Sequence, residues 1–243
     1  MAQRPDRQEL KFLVAHDVRR VLIERWRRYL VKAPFTDDRA MTPVLSLYYD
    51  SPHLSFYHEK LAGFGFRQKV RIRTYGFEFR AGQTTILEIK VRQNDRVRKL
   101  RYELPNFDTD RLAPERWQIE DPEMRGAFES LRERHRLRPT AQVYYQREAY
   151  QGAVESDVRI TLDSSLLGLH PGERPTRKLL LDRSRSLMPD TLAILEVKAT
   201  QGIPGWIHEG IVAAELQQQT IPKYVTAARV LGLVQLSEAG VYA

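Results

Sequence analysis

Apolar and polar residues alternate with period two over much of this chain, broken at intervals by stripes at helical spacing. Leu10, Phe12 and Val14 alternate with Glu9 and Lys11, which predicts a strand over 9–14. Asp17 can cap a helix, and Val18, Leu22, Trp26 and Leu30 recur every four residues, so an amphipathic helix is expected there, ended by Pro34. A strand over 43–50 and a short helix or turn over 53–61 follow, with Gly63 and Gly65 marking a turn. Three period-two segments, 66–75, 84–92 and 96–104, are joined by turn-like residues. Beyond an irregular stretch, a charged helix is expected over 123–136, and strands over 140–150, 157–163 and 192–200. The least regular stretch is 166–189, with one more short strand expected at 178–181. Pro204 and Pro222 each open a helix, the first reaching about residue 217 and the second Gly232. About eight strands with helices at intervals predict an α+β fold: a closed or nearly closed antiparallel barrel flanked by helices, in a single domain over 1–243 with frayed ends at 1–8 and 235–243.

The period-two segments place their charges on one face. Lys69, Arg71 and Arg73 oppose Val70 and Ile72; Glu88, Lys90 and Arg92 oppose Leu87, Ile89 and Val91; Lys99, Arg101 and Glu103 oppose Leu100, Tyr102 and Leu104. Glu9 with Lys11, Arg159, and Glu196 with Lys198 follow the same rule on their own strands, and Arg147 sits mid-strand in the segment 143–150. These faces carry eleven cations and four carboxylates, a surplus of seven where the whole chain of 243 residues has a net charge of +8. The basicity therefore resides on strand faces. A sheet surface chosen for solubility mixes signs, and like charges on neighbouring strands repel. So many cations on one curved surface make sense when an anion offsets them. The charged faces are thus expected to line an inner channel, with the aliphatic faces outward under the helices. Arginine forks and lysine ammonium groups suit phosphate oxygens, and isolated glutamates suit a divalent ion that bridges phosphates.

Composition narrows the chemistry further. The chain has no cysteine, which excludes disulfides, thiolate metal sites and cysteine nucleophiles, and fits a reducing cytoplasm. No apolar run is long enough for a membrane helix, and the first residues do not read as a secretory signal, so a cytoplasmic location is expected. His53 and His58 are the only histidines at ligand-like spacing and read as surface residues. Arg132, Arg134 and Arg136 read as a solvated helical run, and Arg183 and Arg185 as a surface loop. Tyr48 and Tyr102 are candidates to stack a nucleobase, with burial the default for Tyr102.

The segments 9–12, 47–50, 67–76, 87–90 with Arg92, 99–101, 145–147, 158–163, 195–198 and Lys223-Tyr224 together resemble the VTC-type polyphosphate polymerase domain, from about residue 9 to 233. That family belongs to the CYTH-like triphosphate tunnel metalloenzymes. The resemblance implies a basic β tunnel, a divalent metal (Mn²⁺ or Mg²⁺) held by a carboxylate, and transfer of the γ-phosphate of ATP to inorganic polyphosphate with release of ADP. By the same resemblance Lys11, Arg71, Arg73, Lys90, Arg147 and Arg159 are the expected catalytic residues. Lys69, Arg92, Lys99, Arg101, Lys198 and Lys223 are expected to bind substrate, and Glu196, then Glu88 and Glu9, to hold metal. The chain departs from the family pattern at Pro222, where the motif has serine, and at its N-terminal motif, which has one glutamate in place of E-x-E-x-K. The single glutamate fits the polymerase branch better than the cyclase or thiamine triphosphatase branches. A hydrolase of triphosphate or polyphosphate uses the same residues and stands as the alternative. A non-catalytic nucleic-acid binder is disfavoured because the charged faces carry few aromatic rings. An outer-membrane barrel is disfavoured by the intervening helices and the lack of aromatic girdles. Oligomeric state is open.

Overall fold

The computed structural model describes residues 8–33, 41–94 and 96–234. Pro34 and most of the ends expected to fray lie outside the described residues, while Gln8 opens the first strand. The strands are β1 (Gln8–Ala15), β2 (Leu30–Lys32), β3 (Thr42–Asp50), β4 (Phe66–Thr74), β5 (Thr85–Gln93), β6 (Arg96–Leu104), β7 (Arg138–Gly152), β8 (Arg159–Leu169) and β9 (Leu192–Ala199). They form one nine-stranded sheet in the order β1-β9-β8-β7-β3-β4-β5-β6, with β2 added against β7. The helices are α1 (His16–Trp26), α2 (Ser55–Leu61), α3 (Pro122–His135), α4 (Arg177–Leu180), α5 (Gly205–Ala213) and α6 (Lys223–Val230). The α+β class and the antiparallel sheet agree with the sequence, but the pairing path is open, with β1 and β6 at its ends. Closure into a barrel is not part of this pairing. The outer side of β1 is instead met by its own chain, through the Phe12–Gln218 bridge and the Gln219 N–H donated to the Lys11 carbonyl at 2.8 Å.

The chain divides into two compact units, each assembled from three separate stretches. The first comprises 1–42, 145–166 and 188–221; the second comprises 43–144, 167–187 and 222–243.

In the first unit, the aliphatic face of β1, β8 and β9 supplies Phe12, Val14, Ile160, Leu162, Leu195 and Val197 to a core completed by Leu22 and Trp26 of α1 and Ile207 and Ile211 of α5. Burying each such side chain contributes roughly 1.5–3 kcal/mol. Trp26 is fully buried, and its indole N–H donates to the Trp206 carbonyl at 3.0 Å. A Cβ on Gly210 would lie 2.5–2.8 Å from the Trp26 ring, so the close approach of α1 and α5 depends on that glycine.

In the second unit, Val70, Ile72, Leu87, Ile89 and Leu104 of β4–β6 pack against Met124, Phe128 and Leu131 of α3. Asp121 caps that helix by accepting the Met124 N–H at 2.7 Å, and Pro122 follows at its first position. Asn94 turns β5 into β6 with φ of 53°, a conformation asparagine tolerates better than most residues.

Four local expectations are corrected. Leu30 leaves the first helix and joins β2, whose residues 30–32 pair with 150–152. Asp17 lies within the first turn of α1 and accepts the Val18 N–H, while Ala15 occupies the cap position without a side-chain bond. Residues 177–180 are helical, not a strand, because the Thr176 side chain accepts the Leu179 N–H at 3.4 Å and nucleates a turn. The helix opened by Pro204 ends at Ala213, since Glu215 takes φ of 50° and the chain turns away to meet β1.

Candidate functional site

Strand register alone assembles the charged residues into rows, one cluster in each unit. In the second unit, Lys69, Lys90 and Lys99 lie directly opposite one another across β4, β5 and β6. The next row is Arg71, Glu88 and Arg101. Alternation puts all six on the face opposite the aliphatic residues that α3 covers. Three aligned lysines repel, and this row persists beside a single buried carboxylate: Glu88 is 3% exposed. Its oxygens meet Arg71 Nε at 2.6 Å and Nη2 at 2.5 Å, Lys99 Nζ at 2.6 Å, Arg101 Nε at 3.3 Å and Arg73 Nη1 at 4.0 Å. Burial pushes the Glu88 carboxyl up, but Arg71, Arg73 and Lys99 outweigh it and hold the group well below the usual carboxylate range. Lys99 goes the other way. Burial lowers it to about 8 despite the attraction of Glu88, with Arg71 and Arg101 adding repulsion. Arg73 is almost buried, its Nε donating to the Ser46 hydroxyl at 3.0 Å. Arg92 is exposed near the β5–β6 turn and donates to the Asn94 carbonyl at 2.6 Å. Lys223 opens α6.

In the first unit, Glu9, Lys198 and Arg159 form one row across β1, β9 and β8, and Lys11, Glu196 and Thr161 the next. Here two carboxylates stand among the cations. Glu196 Oε1 contacts Lys198 Nζ at 2.5 Å and Lys11 Nζ at 3.6 Å, and Glu9 Oε1 contacts both ammonium groups at 3.3 Å. Burial would raise the Glu196 carboxyl; its hydrogen bond with Glu9 and the Lys198 and Lys11 charges hold it well below the usual range. Lys11 is raised, because Glu196 and Glu9 more than offset its burial. Arg147 makes a bidentate pair with the fully buried Asp163, Nε to Oδ1 at 2.6 Å and Nη2 to Oδ2 at 2.8 Å. Despite the cost of burial, Asp163 raises the Arg147 pKa well above its ordinary value. The sequence reading did not single out Asp163, although it sits on the same face of β8 as Arg159.

The three carboxylates differ in what they can hold. Glu88 is engaged by four cations, which suits orienting guanidinium groups better than holding a metal ion. Glu9 and Glu196 converge on the same two ammonium groups, Lys11 and Lys198, and two neighbouring carboxyl groups are a donor set that fits a hard divalent ion, since Mg²⁺ takes one or two carboxylates and completes its shell with phosphate oxygens and water. Among the described residues, no group of three or more His, Asp or Glu side chains is arranged to hold a metal without such help. His53 and His58 are both exposed. Tyr48, a candidate for base stacking, is 4% exposed and stacks on Tyr224 with ring centroids 5.2 Å apart. The Tyr102 hydroxyl accepts the Glu120 N–H at 3.1 Å. No helix among the described residues is long and apolar enough to cross a membrane.

Comparison with solved structures gives a putative adenylate cyclase of Bacillus halodurans at TM-score 0.52 and 11% identity, over 89% of this chain and 95% of that one. A Pyrococcus horikoshii protein aligns at TM-score 0.46 and 15% identity, over 93% of this chain and 96% of that one. The triphosphatase of the Mimivirus capping enzyme aligns at TM-score 0.32 and 9% identity, over 85% and 88%. Only the first is near enough to indicate a shared fold. No curated protein matches the chain. The VTC domain model matches residues 6–232, a span that takes in both units and every basic row described above. On the strength of that span the chain belongs to the VTC domain family.

Proposed function

We propose that the chain is a polyphosphate polymerase. It transfers the γ-phosphoryl group of ATP to the end of an inorganic polyphosphate chain and releases ADP. The observation that carries this reading is the pair of rows on β4–β6: five cations and one carboxylate on the face away from α3. Such a face is costly unless a polyanion completes it.

In the reaction, a terminal phosphate oxygen of the chain attacks the γ-phosphorus in line. The new P–O bond forms as the bond to the β,γ-bridging oxygen breaks, and ADP leaves with the electron pair. This chemistry asks the protein for position and charge rather than for a side-chain nucleophile. Arg71, Arg73, Lys90 and Lys99 take phosphoryl oxygens in the second unit, supported by Lys69, Arg92, Arg101 and Lys223. Lys11, Arg147, Arg159 and Lys198 do so in the first. Glu196 and Glu9 would hold a divalent ion, Mn²⁺ or Mg²⁺, which when bound neutralises charge on phosphate oxygens. Glu88 fixes the guanidinium of Arg71.

The same reading treats residues 1–243 as one domain, supported by the interleaving of both units along the sequence. It places the protein where ATP is plentiful, in the cytoplasm, with no nucleic-acid partner.

Incubation of the purified protein with ATP and Mn²⁺ or Mg²⁺ tests it. ADP and long phosphate chains, resolved by gel electrophoresis, are the expected products. Free phosphate without chains would move the reading to hydrolysis, and salt-sensitive oligonucleotide binding that survives Glu196→Ala would move it to a nucleic-acid binder.

A further inference from the structure

Tyr48 is not among the phosphate contacts proposed above, yet it is packed against the guanidinium at their centre. It lies on β3 directly opposite Arg71. Its hydroxyl accepts from Arg71 Nη1 at 3.2 Å, and the guanidinium carbon sits 5.8 Å from its ring centroid. The ring stacks on Tyr224 with an interplanar angle of 24°. The Tyr224 hydroxyl donates to Asp50 Oδ2 at 2.6 Å. Asp50 is fully buried and also accepts the backbone N–H groups of Ser51, Phe56 and Tyr57. A continuous relay of contacts thus runs from the start of α2, through two stacked rings, to one arm of Arg71. Glu88 holds the opposite edge through Nε. A planar fork held at one edge can pivot about that contact; held at two edges, it has one orientation.

We propose that Tyr48 is a positioning residue for Arg71, fixing the guanidinium plane for a phosphoryl group without itself contacting phosphate. The proposal rests on the phosphate-binding reading of this face.

A second property follows from the same geometry. Burial pushes the Tyr48 phenol up, but Arg71, Arg73 and Lys69 on β4 and Lys223 on α6 outweigh it and bring the group down to about 8. Above that pH a phenolate sits against Arg71 and cancels part of the charge meant for the ligand. Polyanion affinity is therefore full below pH 8 and declines above it. Lys99 loses its proton in the same range. The two groups are separated by substitution: Tyr48→Phe removes one contribution and Lys99→Arg the other.

The test uses the whole chain and inorganic tripolyphosphate, with affinity measured by calorimetry from about pH 6.5 to about pH 9.5, spanning the range of both groups. Tyr48→Phe is expected to weaken binding about five- to tenfold at neutral pH, the usual worth of a hydrogen bond that orients a charged group. It should also flatten part of the alkaline decline. In an Arg71→Ala background the same substitution should change nothing, because Tyr48 acts through Arg71. The near-ultraviolet phenolate band gives a readout independent of any ligand. One tyrosine should titrate near pH 8 in the wild type, vanish in Tyr48→Phe and move upward in Arg71→Gln. Equal losses with and without Arg71, or no tyrosine titrating early, would overturn the proposal. A wild type that fails to bind tripolyphosphate overturns the phosphate reading instead, and the phenolate titration then still decides whether Tyr48 and Arg71 act as a pair. Thermal unfolding of each variant separates these outcomes from loss of fold.

Discussion

In the first unit, Glu9 and Glu196 stand among Lys11, Lys198 and Arg159; in the second, Glu88 faces Arg71, Arg73, Lys99 and Arg101. Both clusters arise from the same alternation of charged and aliphatic residues along their strands. The ratio of carboxylate to cation differs. Where two carboxylates meet, the charge is nearly balanced, and on the reading proposed above a divalent ion enters there with its phosphate partners. Where one carboxylate meets four cations, the net charge is strongly positive, and on the reading proposed above it attracts an anionic ligand. The lesson is that alternation specifies a face, while the identity of one or two residues in a row specifies its chemistry.

The largest effect expected from breaking this contrast is that of Arg71→Glu. It puts a second carboxylate beside Glu88 and turns the row Arg71, Glu88 and Arg101 from net positive to net negative, so tripolyphosphate affinity should fall more than about a hundredfold. Calorimetry in the absence of metal reads this directly, and full affinity would show that this row does not bind phosphate. Glu196→Gln makes the complementary cut. Divalent-ion stimulation of turnover should fall about tenfold or more, as expected when a metal loses a carboxylate ligand, while metal-free tripolyphosphate binding persists. A variant that keeps its metal response would remove Glu196 from that role.

Gly210→Ala sets the scaffold of the first unit apart from its charges. The added methyl meets the ring of a fully buried tryptophan, so a loss of about 1–3 kcal/mol is expected, seen as a Tm roughly 3–10 °C lower. An unchanged melting curve would mean that α1 and α5 do not approach as closely as described.

A smaller effect belongs to pH. Lys99, with an ordinary value of 10.5, is held near 8. It is charged below that value and neutral above it, so its contribution to polyanion binding is present at neutral pH and lost as the pH rises. Lys99→Arg keeps the charge and should make the alkaline decline several-fold shallower. Because the unfolded chain holds this proton to higher pH than the folded one, the group makes folding more favourable as pH rises from 8 to 10.5, which is opposite to its effect on binding. Least of all should follow from Arg98→Ala. Arg98 pairs with Glu123 at 2.5 Å, but both side chains are more than 60% exposed, and such pairs contribute about 0–1 kcal/mol. Measurable loss of ligand affinity in that variant would show that the other face of β6 takes part in binding.

The strands that carry these rows were legible in the sequence because their information is local. Leu87-Glu-Ile-Lys90 states its two faces in four residues, and the Trp26 stripe states its helix in the same way. What depends on a distant partner was not legible. β2 exists because residues 150–152 accept it, and nothing near Leu30 records them. The apolar run at the end of β8, Leu166 to Leu169, lacks alternation because those residues are buried throughout, so the strand reads shorter than it is. In the candidate site, residue types were readable and their partners were not. Glu88 and Glu196 look alike in their Glu-x-Lys motifs, and only the register shows one between Arg71 and Arg101 and the other between Lys11 and Thr161. Tyr48 read as a possible base-stacking residue, whereas its ring is already taken by Tyr224.

One pairing governs how the chain must come to life. Gln8 meets Ala199, and β1 lies along β9 over its full length. During synthesis β1 leaves the ribosome long before β9 exists, carrying Leu10, Phe12 and Val14 without the strand it pairs with. Contacts so remote in sequence are slow to close and leave the nascent chain exposed in the meantime. The interspersed Glu9 and Lys11 keep that waiting ribbon hydrated until β9 has been made.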